Sequence, residues 1–353
     1  MRLPELSDIQ AAHSRIRPFV HNTPVMKSQQ LNELFNCELF FKCENFQKVG
    51  AFKFRGATNA VLSMSSEERR RGVITHSSGN HAAALALAAR MNGIKASIVM
   101  PENAPAVKKN AVAGYGAEIT FCKPTLQARE NATLLIMEKT GATLIHPYDN
   151  FNVICGQGTA ALEFLQEKGD LEIVIAPVGG GGLMSGTSVY VKGINKNIQV
   201  IGAEPEKAND AFISFTTGVL TPSINPVTCA DGLLTSLSEL TYSVIRKNVD
   251  KILTVKEDSI IECMLLVWER MKIIIEPSSA TVLAVVKENP GLFKSKKIGL
   301  IIASELHLFI CILLYNITRY RSLDGIIFTR FFANQVYHIS NSIKFRLCLT
   351  KIG

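Results

Sequence analysis

A chain of 353 residues, 47% of them hydrophobic, has enough apolar mass for a large buried core, and at about 150 residues per domain it predicts two domains. Its formal charge is +8, but the basic residues are scattered: the longest run is Arg69–Arg71, and the segment from Ser304 onward alone holds six Lys or Arg against two Asp or Glu. Nucleic-acid binding and a membrane span are therefore not expected, since the most apolar late run, Leu308 to Tyr315, is far short of the ~20 residues that cross a bilayer.

The cysteines at 37, 43, 122, 155, 229, 263, 311 and 348 form no Cys-x-x-Cys pair, which predicts reduced thiols rather than a disulfide framework or zinc site. The N-terminus lacks both the apolar core of a signal peptide and the Arg- and Ser-rich bias of a transit peptide, so a cytoplasmic location is expected.

In chain order, Asp8 as a cap and apolar positions at Ile9, Ala12 and Ile16 predict a first helix from Ser7 to Ile16. Leu39 to Cys43 reads as a strand, and the turn Gln47 to Gly50 leads into Phe52-Lys53-Phe54-Arg55-Gly56 at the start of a helix. Gly72 to Thr75 is a short strand, followed by Ser77-Ser78-Gly79-Asn80-His81 and an alanine-rich helix to Met91. Strands at Ala96 to Met100, Ala117 to Phe121 and Thr143 to Ile145 alternate with helices at Ala104 to Ala113 and Thr125 to Lys139. A helix from Gly158 to Gln166, a strand Ile173 to Ala176 and four glycines, Gly179 to Gly182, then open another helix at Leu183. Val200 to Ala203 is a strand, helices follow near Ile260 to Met271 and Ser278 to Val286, and Ile298 to Ile302 is a last core strand. Such alternation implies an α/β protein with parallel pairing and right-handed crossovers.

Three stretches carry chemistry. Lys53 between two phenylalanines is partly desolvated, which disfavours the ammonium and favours a free amine able to attack a carbonyl; a lysine snorkelling over an apolar patch is the structural reading. The four glycines after a buried strand leave backbone N–H groups open to a phosphate at a helix N-terminus, or else form a plain turn. Spacing excludes the P-loop and dinucleotide fingerprints. Ser77 to His81 is either a second anion-binding turn or a helix cap.

Together these stretches resemble the fold-type-II pyridoxal-phosphate enzymes, within them the serine racemase and serine/threonine dehydratase branch. The likeness runs from about Ile9 to Ile302 and includes His146-Pro147-Tyr148, Gly156-Gln157-Gly158-Thr159 and Glu276-Pro277-Ser278-Ser279-Ala280. It implies a large domain of residues 1–48 and 149–303, a small domain of 49–148, and an atypical tail of 304–353. By motif, Lys53 would hold the cofactor as a Schiff base, Phe52 and Gly232 would sandwich its ring, Asn80 would bond the 3'-hydroxyl, Gly179, Gly180, Gly181 and Gly182 would hold the phosphate, and Tyr148 would line the site. Lys53 and Ser78 would be the two acid/base groups on opposite faces, with Ser77, Ser78 and His81 around the substrate. Two such faces invert the α-carbon, and loss of the β-hydroxyl instead gives pyruvate and ammonia.

The resemblance further implies a metal loop of Glu204, Ala208 and Asp210 for Mg²⁺ or Ca²⁺, where the alternative is an acidic helix cap. It also implies an ATP effector site at Ser28, Lys48 and Lys272, although Gln29, Gln30 and Phe121 depart from that pattern, and a homodimer acting on an amino acid. The pattern breaks after Ile302: the Gly-Gly-Asn turn is missing, and Ala303 or Ser304 stands where the ring-nitrogen partner would be. A threonine dehydratase-type ammonia-lyase and a non-catalytic cofactor-binding subunit remain as alternatives, and an altered reading of the gene, such as a retained intron, would explain the ending.

Overall fold

A computed structural model of the chain describes residues 1–77 and 79–305. Among the described residues ten strands follow one another: β1 (Val25–Met26), β2 (Glu38–Cys43), β3 (Val73–Thr75), β4 (Ala96–Pro101), β5 (Glu118–Cys122), β6 (Thr143–Leu144), β7 (Ile173–Pro177), β8 (Gln199–Pro205), β9 (Lys251–Val255) and β10 (Lys297–Ile302). They form two sheets, a six-stranded one in the order β1-β2-β10-β7-β8-β9 and a four-stranded one in the order β5-β4-β3-β6. Every pairing is parallel except that of β1 with β2. Helices cover both faces of such sheets, which is why β7 and β10 read as unbroken apolar runs and are buried along nearly their whole length.

Most elements stand where the sequence puts them, and the differences have local causes. Asp8 is not the cap of the first helix, Leu6–Ile16; Glu5 is, and Asp8 sits three residues on, its carboxylate accepting the Glu5 N–H to close a capping box. The helix expected from Gly158 begins at Phe151, capped by Asn150, and runs to Glu167 through Gly156 and Gly158. Those glycines are contact points rather than breaks. A Cβ on Gly156 would lie 2.6 Å from the Gly56 Cα, and one on Gly158 would lie 2.8 Å from the Gly186 carbonyl oxygen, so three helices meet backbone to backbone. The sequence also hid β9 and the helices Gln29–Phe35, Asp210–Thr217 and Glu239–Asn248.

Parallel sheets bring strand C-termini and helix N-termini to one side, and two such edges meet at Lys53. The end of β10 continues beside the segment before the lysine: Phe52 donates its N–H to the Ala303 carbonyl at 3.0 Å, Glu305 donates to Gly50 at 2.8 Å, and Ala51 bridges Ser304 antiparallel. Ser304 and Glu305, assigned to the tail from sequence, are thus built into the fold. The rest of that tail lies outside the described residues. The six described cysteines form no disulfide, and no described helix is long and apolar enough to cross a membrane.

Candidate active site

Lys53 is the first residue of the helix Lys53–Leu62, and its ammonium donates to the Pro147 carbonyl at 2.9 Å and lies 5.1 Å from the Phe52 ring centre. Enclosure lowers its pKa from 10.5 to about 8, against the pull of Glu276, so the amine is far easier to free than an exposed lysine's. The lysine faces a cavity of about 540 Å³. That volume suits a small cofactor with its substrate.

One wall of this cavity is the turn Gly179 to Gly182 at the N-terminus of the helix Gly182–Ile194. Gly181 has φ +83°, which strains any side chain, and a Cβ on Gly180 would come within 2.3 Å of the Tyr148 ring. Side chains are thus kept off the backbone N–H groups by both conformation and packing. A phosphate finds there open donors and the positive end of a helix dipole. Opposite lies the helix Asn80–Met91, whose N-terminal residues Asn80 and His81, with Ser77 before them, also line the cavity. Phe52, Tyr148 and Gly232 complete the set. Ser78 lies outside the described residues.

His81 is 2% exposed and its Nε2 bonds the Ile145 carbonyl at 2.9 Å, so Nε2 carries the proton. Nδ1 is buried without a partner among the described residues. Burial and the nearby Lys53 push its pKa down to about 3, which makes His81 a neutral ring with a bare acceptor. His146 is likewise driven down to about 4 by burial and by His76, and it accepts the Asp149 N–H on Nδ1 at 2.9 Å.

Several cavity groups escaped the sequence reading. Lys108 reaches Asp231 at 3.2 Å and Arg129 lines the wall; isolated charged residues in unremarkable stretches give no signal that separates them from solvated ones, whereas His76, also in the wall, stands within the stretch Thr75 to His81 without a role of its own there. Glu276 was visible only as part of a motif. It is buried, its carboxylate accepts the Ser304 hydroxyl, and burial followed by the charge of Asp231 raises its pKa to about 7. Behind the lysine, Arg55 makes paired bonds to Glu44 and to Glu163, which also bonds Lys42 at 2.8 Å; Arg55, Glu44 and Lys42 are wholly buried. Nothing in the sequence pairs these four residues.

The metal-loop residues lie outside the cavity lining. The two Glu204 oxygens accept the N–H groups of Ala211 and Phe212 at 2.9 and 2.8 Å, so the capping reading is satisfied. Asp210 accepts from Leu237 on one oxygen and leaves the other buried and unpartnered among the described residues. Burial pushes these two neighbouring acids upward, Glu204 to about 9 and Asp210 to about 6, and an oxygen-liganded cation fits the unpartnered Asp210 oxygen. Ser28 caps the helix Gln29–Phe35 and Lys272 ends the helix Glu257–Met271; Arg270 donates to Gln30 between these two helices, and Asn45, in the turn before Lys48, donates to the Ile274 carbonyl just beyond the second.

A family model, pyridoxal-phosphate dependent enzyme, matches residues 16–304. The chain belongs to that family. The chain is 50% identical over 303 residues to a serine racemase of Dictyostelium discoideum, covering 84% of this chain and 93% of that protein. It is 44% identical over 302 residues to a β-hydroxyaspartate dehydratase of Paracoccus denitrificans, covering 86% and 96%. The crystal structure of the serine racemase from Dictyostelium discoideum superposes with a TM-score of 0.82 at 50% identity, covering 85% of this chain and 98% of that one. The α/β fold-type-II architecture with two mostly parallel sheets stands accordingly.

Proposed function

We propose that the chain interconverts L- and D-serine with pyridoxal phosphate and, in a side reaction, eliminates water from serine to give pyruvate and ammonia. The observation that carries this reading is Lys53, an amine with its pKa lowered to about 8, set across a 540 Å³ cavity from a glycine turn that has room for a phosphate and none for side chains. When bound, the cofactor supplies an electron sink for the charge left at the substrate's α-carbon.

The chain's own groups do the rest. Gly179 to Gly182 anchor the phosphate, Phe52 and Gly232 hold the ring between them, and Asn80 meets the 3'-hydroxyl. Lys53 takes or returns the α-proton on one face and Ser78 on the other. Ser77 and the N-terminus of the helix Asn80–Met91 hold the substrate carboxylate; His81 adds an acceptor there, because its one N–H is spent on Ile145. Residues 1–48 with 149–303 act as one domain and 49–148 as the other, Glu204, Ala208 and Asp210 hold Mg²⁺ or Ca²⁺, Ser28, Lys48 and Lys272 form an ATP effector site, and the enzyme is a cytoplasmic homodimer.

The non-catalytic alternative loses ground because Ala303 and Ser304, where the family pattern breaks, still pair with the lysine segment and line the cavity. Purified protein given pyridoxal phosphate and L-serine is expected to yield both D-serine by chiral chromatography and pyruvate by a coupled assay. A protein that binds the cofactor yet forms neither product would overturn the proposal; pyruvate alone would reduce it to a dehydratase.

A further inference from the structure

Serine brought to the cofactor by its amine leaves three groups for the protein to meet: the α-hydrogen, the carboxylate and the β-hydroxyl. The reading above gives the first to Lys53 and Ser78 and the second to Ser77 and the N-terminus of the helix Asn80–Met91, but the third has no partner. That oxygen lies two bonds from the α-carbon, so its partner must stand near both the Lys53 amine and Ser77. His146 meets both conditions. It precedes Pro147, whose carbonyl accepts from the Lys53 ammonium at 2.9 Å, and its ring lies edge-on to that of His76, the residue before Ser77, with centroids 5.6 Å apart. All five residues line the one cavity.

The His146 ring is held in one place and one state. Tyr148 packs edge-on against it at 4.6 Å, opposite in the row to His76, and Tyr148 in turn fills the space above Gly180 and Gly182 of the glycine turn. The row Tyr148, His146, His76 thus runs from the phosphate end of the cavity to the carboxylate end, with His146 in the middle. Nδ1 accepts the Asp149 N–H at 2.9 Å, so the proton is on Nε2. Both hydrogen bonds that the ring makes among the described residues end on Nδ1, which leaves the Nε2–H to donate elsewhere. Burial and His76 keep the ring neutral, its pKa down to about 4. A neutral donor suits a neutral hydroxyl, whereas the cations Arg129 and Lys108 suit a charged group, and Lys108 already has Asp231.

We propose that His146 recognises the substrate's β-hydroxyl, donating its Nε2–H to that oxygen, and so makes the site prefer β-hydroxy amino acids to alanine. Alanine offers only a methyl group at the same place. A ring that stays neutral orients the hydroxyl without handing it a proton. Removing the donor leaves the hydroxyl unpaired inside the cavity, a loss that falls on serine and has no counterpart for alanine. The inference rests on the reading of the site as one for serine and pyridoxal phosphate.

The test titrates the full chain, loaded with pyridoxal phosphate, with L-serine and with L-alanine and reads each Kd from the change in the cofactor's visible band. His146→Phe keeps a ring between His76 and Tyr148 but has no N–H, and His146→Gln keeps a donor near the place of Nε2. The preference for serine over alanine is expected to fall about threefold to tenfold in His146→Phe and to be largely retained in His146→Gln. An unchanged preference in His146→Phe, or equal losses of affinity for the two amino acids, would overturn the proposal. Should both variants fail to fold, the parent decides: it is expected to bind serine more tightly than alanine by a ratio that stays level between about pH 6 and 8, since His146 titrates near 4. Equal affinities, or a ratio that changes around pH 6.5 as an ordinary histidine titrates, would refute the inference. A parent without a visible band that depends on Lys53, or whose band answers neither amino acid, would instead overturn the underlying reading of the site.

Discussion

Two groups of charges lie out of water on either side of the lysine helix, and they are treated in opposite ways. Behind it, Arg55, Glu44, Glu163 and Lys42 balance two cations against two anions with nearly every hydrogen bond made. Burial pushes Glu163 upward, but Arg55 and Lys42 outweigh it and hold the carboxyl below its ordinary range. In front, Lys53 and Glu276 face the cavity with no ion pair among the described residues, and burial moves each toward neutrality, to about 8 and about 7. A fully paired network fixes its protons and geometry. An incompletely paired one leaves protons that can move, which is what acid/base chemistry needs.

The largest effect falls on the cavity side. Lys53→Ala is expected to abolish both the visible band of the bound cofactor and turnover of either serine enantiomer; a surviving band would break the assignment.

Ser78→Ala follows, with a loss of about a hundredfold to ten-thousandfold in racemisation, the range for removing a positioned acid/base. Pyruvate formation from D-serine should fall much further than from L-serine, because only D-serine presents its α-proton to Ser78. Equal losses for the two enantiomers would return Ser78 to the role of a helix cap.

On the paired side, Arg55→Met strands Glu44 and Glu163 with Lys42 as their single cation. Breaking a buried ion pair costs about 3–5 kcal/mol, measurable by denaturant unfolding. An unchanged midpoint would show that the quartet does not hold the lysine helix in place.

The pH dependence sharpens the contrast. Only the free amine captures the cofactor aldehyde, so the capture rate of cofactor-free enzyme should climb through about pH 8 and then level, whereas an ordinary lysine would keep climbing past 10. The linked stability has a definite sign: the folded pKa lies below the unfolded 10.5, the unfolded chain binds more protons between about 8 and 10.5, and Lys53's contribution to stability therefore rises with pH across that window. A capture midpoint near 10 would mean that the amine is solvated.

The smallest effect concerns the acids of the metal loop. A chelator should lower the melting temperature of the parent by a few degrees, the scale of about 1 kcal/mol, and change Asp210→Asn little further. Equal melting of the parent with and without chelator would leave Glu204 as a helix cap alone.

Local sequence was enough wherever one element carries the signal. The unbroken apolar runs of β7 and β10, the glycine turn and the position of Lys53 at a helix start follow from periodicity, burial and the conformational freedom of glycine, all of which act over a few residues. The helix Phe151–Glu167 was cut short because its glycines look like breaks until Gly56 and Gly186 are seen packed against them. The two charge clusters were decided by the tertiary fold alone. Arg55 meets Glu163 across 108 positions and Ser304 meets Glu276 across 28, on elements whose own patterns say only that they are buried. Whether a buried charge is paired or left short of a partner depends on what the packing brings to it, and that choice separates the scaffold of this protein from its chemistry.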